Sequence, residues 1–248
     1  RNEANRIRAC LQAVVGAPGV LQVVVVDDES VDETAIVASQ LGATVLRGKP
    51  LPSGWVGKAW ALHQGVQAAT GEWIVTLDAD AVADPQLAQL IVQRAVRENL
   101  RFVSVGARFD CPSKGAQWLH PAMLTTLVYR YGPSGYSGKV GERTQIANGQ
   151  CMAMSRHGAI EHDVFSRVRG ETIEDVALVR LVAAMGWPVA MLDGSELLTV
   201  RMFESFSDTW NGWGRSLSLA GVDNTRRVFA HSIALALTQV APLWMLVL

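Results

Sequence analysis

Little in this 248-residue chain is in excess, and each shortage removes a class of function. Lysine and arginine number 22 against 23 aspartates and glutamates, so the formal net charge is −1 and no basic surface argues for nucleic acid. Three cysteines, Cys10, Cys111 and Cys151, are scattered without metal-ligand spacing or a disulfide framework, which fits a reducing compartment. The five histidines are dispersed and form no His-x-x-x-His pair, which speaks against zinc. No Gly-x-Gly-x-x-Gly follows the early strand patterns, so a dinucleotide-binding oxidoreductase lacks its motif. Internal repeats and low-complexity tracts are absent too. At this length a single α/β domain is the simplest expectation.

What the chain does have is acid at the ends of apolar runs. Trp73 to Leu77 is short, apolar and partly β-branched, and it reads as a strand covered on both faces. It delivers Asp78-Ala79-Asp80 to the carboxyl end of that strand, where open α/β sheets bind ligands. In extended backbone, side chains at i and i+2 point the same way, so both carboxylates address one centre. Such a pair invites a hard divalent cation, Mg²⁺ or Mn²⁺. The bland alternative is that the pair caps the helix expected at Asp84-Pro85.

The same logic repeats elsewhere. Asn5 to Val15 reads as a helix, and Leu21 to Val26 as a buried parallel strand ending in Asp27-Asp28-Glu29-Ser30 and Asp32. Ser30 or Asp32 would serve as an N-cap, which leaves at least one aspartate for a ligand. Gly57-Lys58 opens the helix Ala59 to Ala69 and combines backbone donors, a helix dipole and an ammonium, the makings of an anion cradle. It is not a Walker A loop. Thr144 to Asn148 and Cys151 to Ser155 read as strands around Gly149, and Arg156 to Arg169 as irregular. Glu174-Asp175 opens the helix Val176 to Met185, with Thr172 and Asp175 as a capping box in the plain reading. Strand–helix alternation implies a mostly parallel sheet flanked by helices.

Two stretches point toward lipid. Trp118 to Tyr131 is apolar and aromatic, and it suits either a core helix or an interfacial one with Trp118, Tyr129 and Tyr131 near headgroups. Val228 to Leu248 is almost wholly apolar, close to the ~20 residues that cross a bilayer. Arg226-Arg227 precedes it, which would place the preceding domain on the cytoplasmic side; a buried helix is the alternative. We therefore expect a catalytic domain over residues 1–222 and a hydrophobic membrane-associated segment over 223–248.

Together these motifs resemble family 2 glycosyltransferases of the GT-A, nucleotide-diphospho-sugar fold, Rossmann-like and α/β. Arg1-Asn2-Glu3 resembles the loop after that family's first strand, Asp27-Asp28-Glu29-Ser30-Val31-Asp32 its nucleoside motif, and Asp78-Ala79-Asp80 its metal motif. Glu174-Asp175 resembles the pair that carries the catalytic base. Pro52-Ser-Gly-Trp55-Val-Gly-Lys58-Ala-Trp60, Glu174 to Leu178 and Arg201-Met-Phe203 resemble the membrane-bound hopanoid- and carotenoid-associated subgroup. The first strand is expected just before Arg1, so the sheet is expected to lack it. Trp210-Asn-Gly-Trp213-Gly-Arg215 stands where processive synthases carry Gln-x-x-Arg-Trp, which favours transfer of a single sugar.

The resemblance implies roles. Asp80 and Asp78 would hold the divalent cation, Lys58, Trp213 and Arg215 would meet the donor, and Asp27, Asp28 and Glu3 would frame the nucleoside. Asp175, beside Glu174, would act as general base in an inverting transfer from a nucleotide-diphospho-sugar, UDP being the usual nucleotide, to a lipid-like hydroxyl acceptor at a membrane. Two other functions stay open: a sugar transferase acting on a polyprenyl phosphate, which needs no base, and a non-catalytic membrane-bound interaction module.

Overall fold

The computed structural model describes residues 1–131, 145–201, 203, 205–217 and 226, with positions 229, 230, 233 and 237 of the apolar stretch. They divide into two compact units, Arg1–Asp110 with Ser134–Arg201, and Cys111–Pro133 with Met202–Leu248.

In the first unit, apolar residues at helical spacing form α1 (Ile7–Val14), which buries Ile7, Cys10 and Leu11. Gly16 and Gly19 end the segment with φ of +74° and +75°, a conformation glycine adopts without steric cost. The valine run becomes β1 (Val24–Asp27), which pairs in parallel with β2 (Thr44–Arg47) through α2 (Thr34–Gln40). Next come α3 (Gly57–Ala68), β3 (Trp73–Leu77), β4 (Ala81–Ala83), α4 (Leu87–Arg97), β5 (Phe102–Gly106) and β6 (Arg108–Asp110). After a long interval the chain adds β7 (Cys151–Ser155), α6 (Arg156–Glu161), α7 (Val164–Arg167), α8 (Glu174–Ala184), β8 (Val189–Asp193) and β9 (Leu198–Arg201).

The sheet is mixed, not mostly parallel. A four-stranded sheet runs β3-β7-β5-β8 and a three-stranded one β4-β9-β6. Pairs β1–β2, β5–β8 and β6–β9 are parallel, whereas β3–β7, β5–β7 and β4–β9 are antiparallel. A helical crossover enforces a parallel neighbour only when it joins two adjacent strands. Here β7 arrives from elsewhere in the chain and slots between β3 and β5 in the opposite direction. Among the described residues β1 and β3 share no pairing.

Other boundaries also shift. No strand forms over residues 145–148, and Thr144 lies outside the described residues. The polar stretch from Arg156 is not irregular, because α6 and α7 occupy it and bury Ala159, Val164 and Phe165. Those side chains join Phe102, Met152, Met154, Leu178 and Val182 in the main core. Each large side chain fully buried there is worth roughly 1.5–3 kcal/mol.

The second unit contains α5 (Lys114–Tyr131) and α9 (Phe206–Leu217), which pack on each other. Trp213 is buried and its indole N–H donates to His120 Nδ1 at 3.0 Å. Trp118 and Trp210 are exposed. The side chains of Tyr129, Tyr131 and Arg215 and the loop Gly132 to Gly138 lie outside the described residues, as does most of the segment over 223–248. No helix among the described residues is long and apolar enough to cross a membrane.

Candidate active site

Three element ends of the first unit meet around one line of charge. β3 stops at Leu77, and the acid pair that follows is not extended: Ala81 N–H donates to Asp78 O at 3.1 Å, closing a turn over Asp78-Ala79-Asp80. A turn thus stands where extended backbone was expected, and it still keeps the two carboxylates in each other's field. Burial raises the Asp80 pKa, and the negative charge of Asp78 adds to that. Neither aspartate caps the next helix. Asp84 does the local work there, accepting from Gln86 N–H at 2.8 Å ahead of α4.

Each member of the pair faces a cation. Arg6 binds Glu3 through two contacts of 2.7 and 2.9 Å and approaches Asp80 at 3.6 Å. Lys58 Nζ lies 3.0 Å from Asp78 Oδ1 and 3.1 Å from Glu174 Oε1. Burial alone would lower the lysine pKa, but Asp78 and then Glu174 outweigh it and hold the ammonium charged. Thus the anion cradle expected at Gly57-Lys58 takes another form: Lys58 is committed to two carboxylates. The first turn of α3 keeps its backbone donors without a side-chain cap.

Glu174 and Asp175 form the first turn of α8, two residues earlier than the expected helix start. There is no capping box, since Ile173 is the N-cap and no side chain caps it. Asp175 instead spans two backbone donors, Gly149 N–H to Oδ2 at 2.7 Å and Val176 N–H to Oδ1 at 2.8 Å. Burial, then the neighbouring charge of Glu174, push its pKa up to about 6. That is a useful value for a group that must be ionised yet basic near neutrality.

The acidic stretch Asp27 to Asp32 begins at the end of β1. Asp27 Oδ1 is buried and accepts no hydrogen bond among the described residues, a costly state unless a ligand donor reaches it. Asp28 Oδ2 lies beside the N-terminus of α3, 3.5 Å from where a Cβ at Gly57 would stand. Ser30 and Asp32 hold the chain's own N-terminal loop, accepting from Asn2 and Ala4 N–H, and Asp32 also accepts from Thr34 N–H. The Glu3 carboxylate is neutralised by Arg6. Trp213 belongs to the second unit, where its indole N–H donates to His120.

Among the described residues, five carboxylates (Glu3, Asp80, Asp78, Glu174 and Asp175) share two cations, Arg6 and Lys58. The excess negative charge fits a further cation at Asp78 and Asp80. Among the described residues no group of three or more metal-binding side chains exists, so oxygens from a ligand would have to complete its coordination. Beneath the pair, the Cys10 thiol points at Asp78 O at 3.7 Å. Burial and the two aspartates push its pKa to about 12, so it stays neutral.

Comparison with known proteins now adds to this geometry. Residues 1–162 match the family model described as Glycosyl transferase family 2. A 4,4'-diaponeurosporenoate glycosyltransferase of Staphylococcus aureus (strain MRSA252) is 28% identical over 240 residues, 95% of this chain and 63% of that protein. The enzyme of the same name from Staphylococcus haemolyticus is 25% identical over 231 residues, 91% of this chain and 61% of that protein. The chain thus spans somewhat under two thirds of these relatives. Among solved structures, glucosyl-3-phosphoglycerate synthase of Mycobacterium tuberculosis, crystallised with Mn²⁺, UDP and glucosyl-3-phosphoglycerate, superposes with a TM-score of 0.57 at 19% identity. That match covers 90% of this chain and 78% of the other. Mannosyl-3-phosphoglycerate synthase of Rubrobacter xylanophilus gives 0.55 at 22%, covering 91% and 74%. Both likenesses concern the fold.

Proposed function

Since the chain belongs to glycosyl transferase family 2, we propose that it moves one sugar from a nucleotide-diphosphate donor to a lipid-like acceptor, with inversion and with a divalent cation. The observation that carries this reading is the Lys58 bridge, which ties the acid pair after β3 to the acid pair that opens α8. Donor and acceptor chemistry need such a juxtaposition, because charge builds on the leaving diphosphate while the acceptor oxygen loses a proton.

The roles follow from the atoms. Asp27 accepts a hydrogen bond from the nucleoside at its orphaned Oδ1, with Asp28 beside it. Asp80 and Asp78 hold the cation, which when bound neutralises developing diphosphate charge. Lys58 keeps Asp78 oriented and adds its own positive charge nearby. Asp175 takes the acceptor proton on a lone pair left free by its two backbone donors. A UDP-sugar with Mn²⁺ or Mg²⁺ is the donor pair to try first. The apolar sequence from Val228 supports a membrane-associated enzyme whose catalytic domain faces the cytoplasm.

A second reading is favoured by one observation: the relatives are named for an acceptor ending in -oate, a carboxylate. A carboxylate or polyprenyl-phosphate oxygen is already anionic and needs no general base. Asp175→Asn separates the two, since it abolishes transfer to a hydroxyl and spares transfer to an anion.

The primary test is calorimetric titration with UDP, with and without Mn²⁺, on the wild type and on Asp80→Ala. Binding that requires both the metal and Asp80 is the expected result. Equal binding without metal, or by the variant, would remove Asp80 from the cation site.

A further inference from the structure

The turn Asn148-Gly149-Gln150 has entered so far only as one backbone donor to Asp175, yet it touches both halves of the site. Its anchoring is unusually complete. Buried Ser104 of β5 accepts from Asn148 N–H at 2.6 Å and donates to Asn148 O at 3.2 Å. The Asn148 side chain donates to Val105 O at 3.2 Å and to Gln150 Oε1 at 3.0 Å, and it accepts from Gln150 N–H at 3.1 Å. Gln150 O receives Asp78 N–H at 3.0 Å, so the turn is fastened to the strand end that carries the acid pair. Its middle N–H points outward, to Asp175 Oδ2 at 2.7 Å.

We propose that this turn is the positioning element for the Asp175 carboxylate, and that residue 149 must be glycine because the carboxylate occupies the place a side chain would take. This rests on Asp175 being the base. A Cβ at Gly149 would stand 3.0 Å from Asp175 Oδ2, 3.1 Å from its Cβ and 3.2 Å from its Cγ. Its φ is not among the positive ones, so the backbone itself does not demand glycine, and the three atoms nearest to such a Cβ all belong to Asp175. Gly149 thus acts through Asp175, passing to it the register that Asn148 and Ser104 fix against β5 and Asp78.

The test is a double-mutant cycle of Gly149→Ala and Asp175→Ala, read first by thermal unfolding of the whole chain. Gly149→Ala lowers Tm by roughly 3 °C or more in the wild type and by less than about 1 °C once Asp175 is alanine. An equal loss in both backgrounds would overturn the proposal. Should Gly149→Ala fail to fold, folding of the double variant supports the proposal, and its failure as well overturns it.

The second readout uses UDP-glucose and Mn²⁺. Gly149→Ala lowers the rate of glucosyl transfer to acceptor or water, read as UDP set free, at least ~10-fold and keeps UDP affinity within about 2-fold, as misplacing a base without touching the donor requires. Thermal coupling with unchanged turnover would leave the turn without a positioning role. Absence of UDP binding by the wild type would instead sink the functional reading, while the thermal cycle still decides whether Gly149 places Asp175.

Discussion

Arg6 and Lys58 look alike on paper, each a cation between two acids, one of which belongs to the pair after β3. They differ in what they join. Arg6 makes its short contacts with Glu3, three residues away, and reaches Asp80 only at 3.6 Å, with a side chain 58% exposed. Lys58 links β3's end to the start of α8 at 3.0 and 3.1 Å, and its partner Glu174 is buried. The first is a local pair in water. The second holds two distant elements together, so the energetic consequences of losing them should differ.

The largest effect comes from breaking the stronger member. Lys58→Met leaves the buried Glu174 charge without its partner, and we expect a loss of about 2–3 kcal/mol in urea unfolding. That is below the range for fully buried pairs because Lys58 is 43% exposed. A loss under 0.5 kcal/mol, on this order-of-magnitude scale, would make the bridge incidental.

The next effect tests what burial, and after it the charge of Glu174, does to Asp175. Asp175 has a folded pKa of about 6, above its ordinary value, so between pH ~4 and ~6 the folded state holds a proton that the unfolded state has released. Stability carried by that proton is present at low pH and is lost as pH rises through about 6. Asp175→Asn removes this slope, and stability curves at several pH values would show it. An unchanged slope would assign the titration to another group.

The smallest effect is expected at the weaker member. Arg6→Gln should change stability by no more than about 1 kcal/mol, as exposed pairs do. A chemical-denaturation midpoint displaced as far as that of Lys58→Met would erase the distinction between the two cations.

What was legible in the sequence follows the same division between local and distant. Asp27, Asp78, Asp80, Glu174 and Asp175 were readable because each follows or opens an element whose apolar pattern is written within a few residues. The GT-A-like α/β class was readable for the same reason. The direction of β7 was not, since period-2 or continuous apolar patterns carry no sign of which way a strand runs. Arg6 gave no signal, because an arginine before a helix is ordinary. Gly149 could have been suspected as a glycine between two polar amide residues, yet its partner lies in another element. The hydrogen bond of Trp213 to His120 was not legible either, because an indole suits a ligand wall and a helix interface equally well and its partner lies in another helix.

The antiparallel insertion of β7 also bears on the order in which the protein assembles itself. Leu77 is opposite Cys151, and between them in the chain lie β4, α4, β5, β6 and α5. Contacts this remote in sequence close late, after loop entropy has been overcome. Until β7 enters between β3 and β5, Asp78 has no Gln150 carbonyl to hold its backbone, and Asp175 has no Gly149 N–H. A nascent chain released before that step therefore carries every acidic residue of the site and has no site.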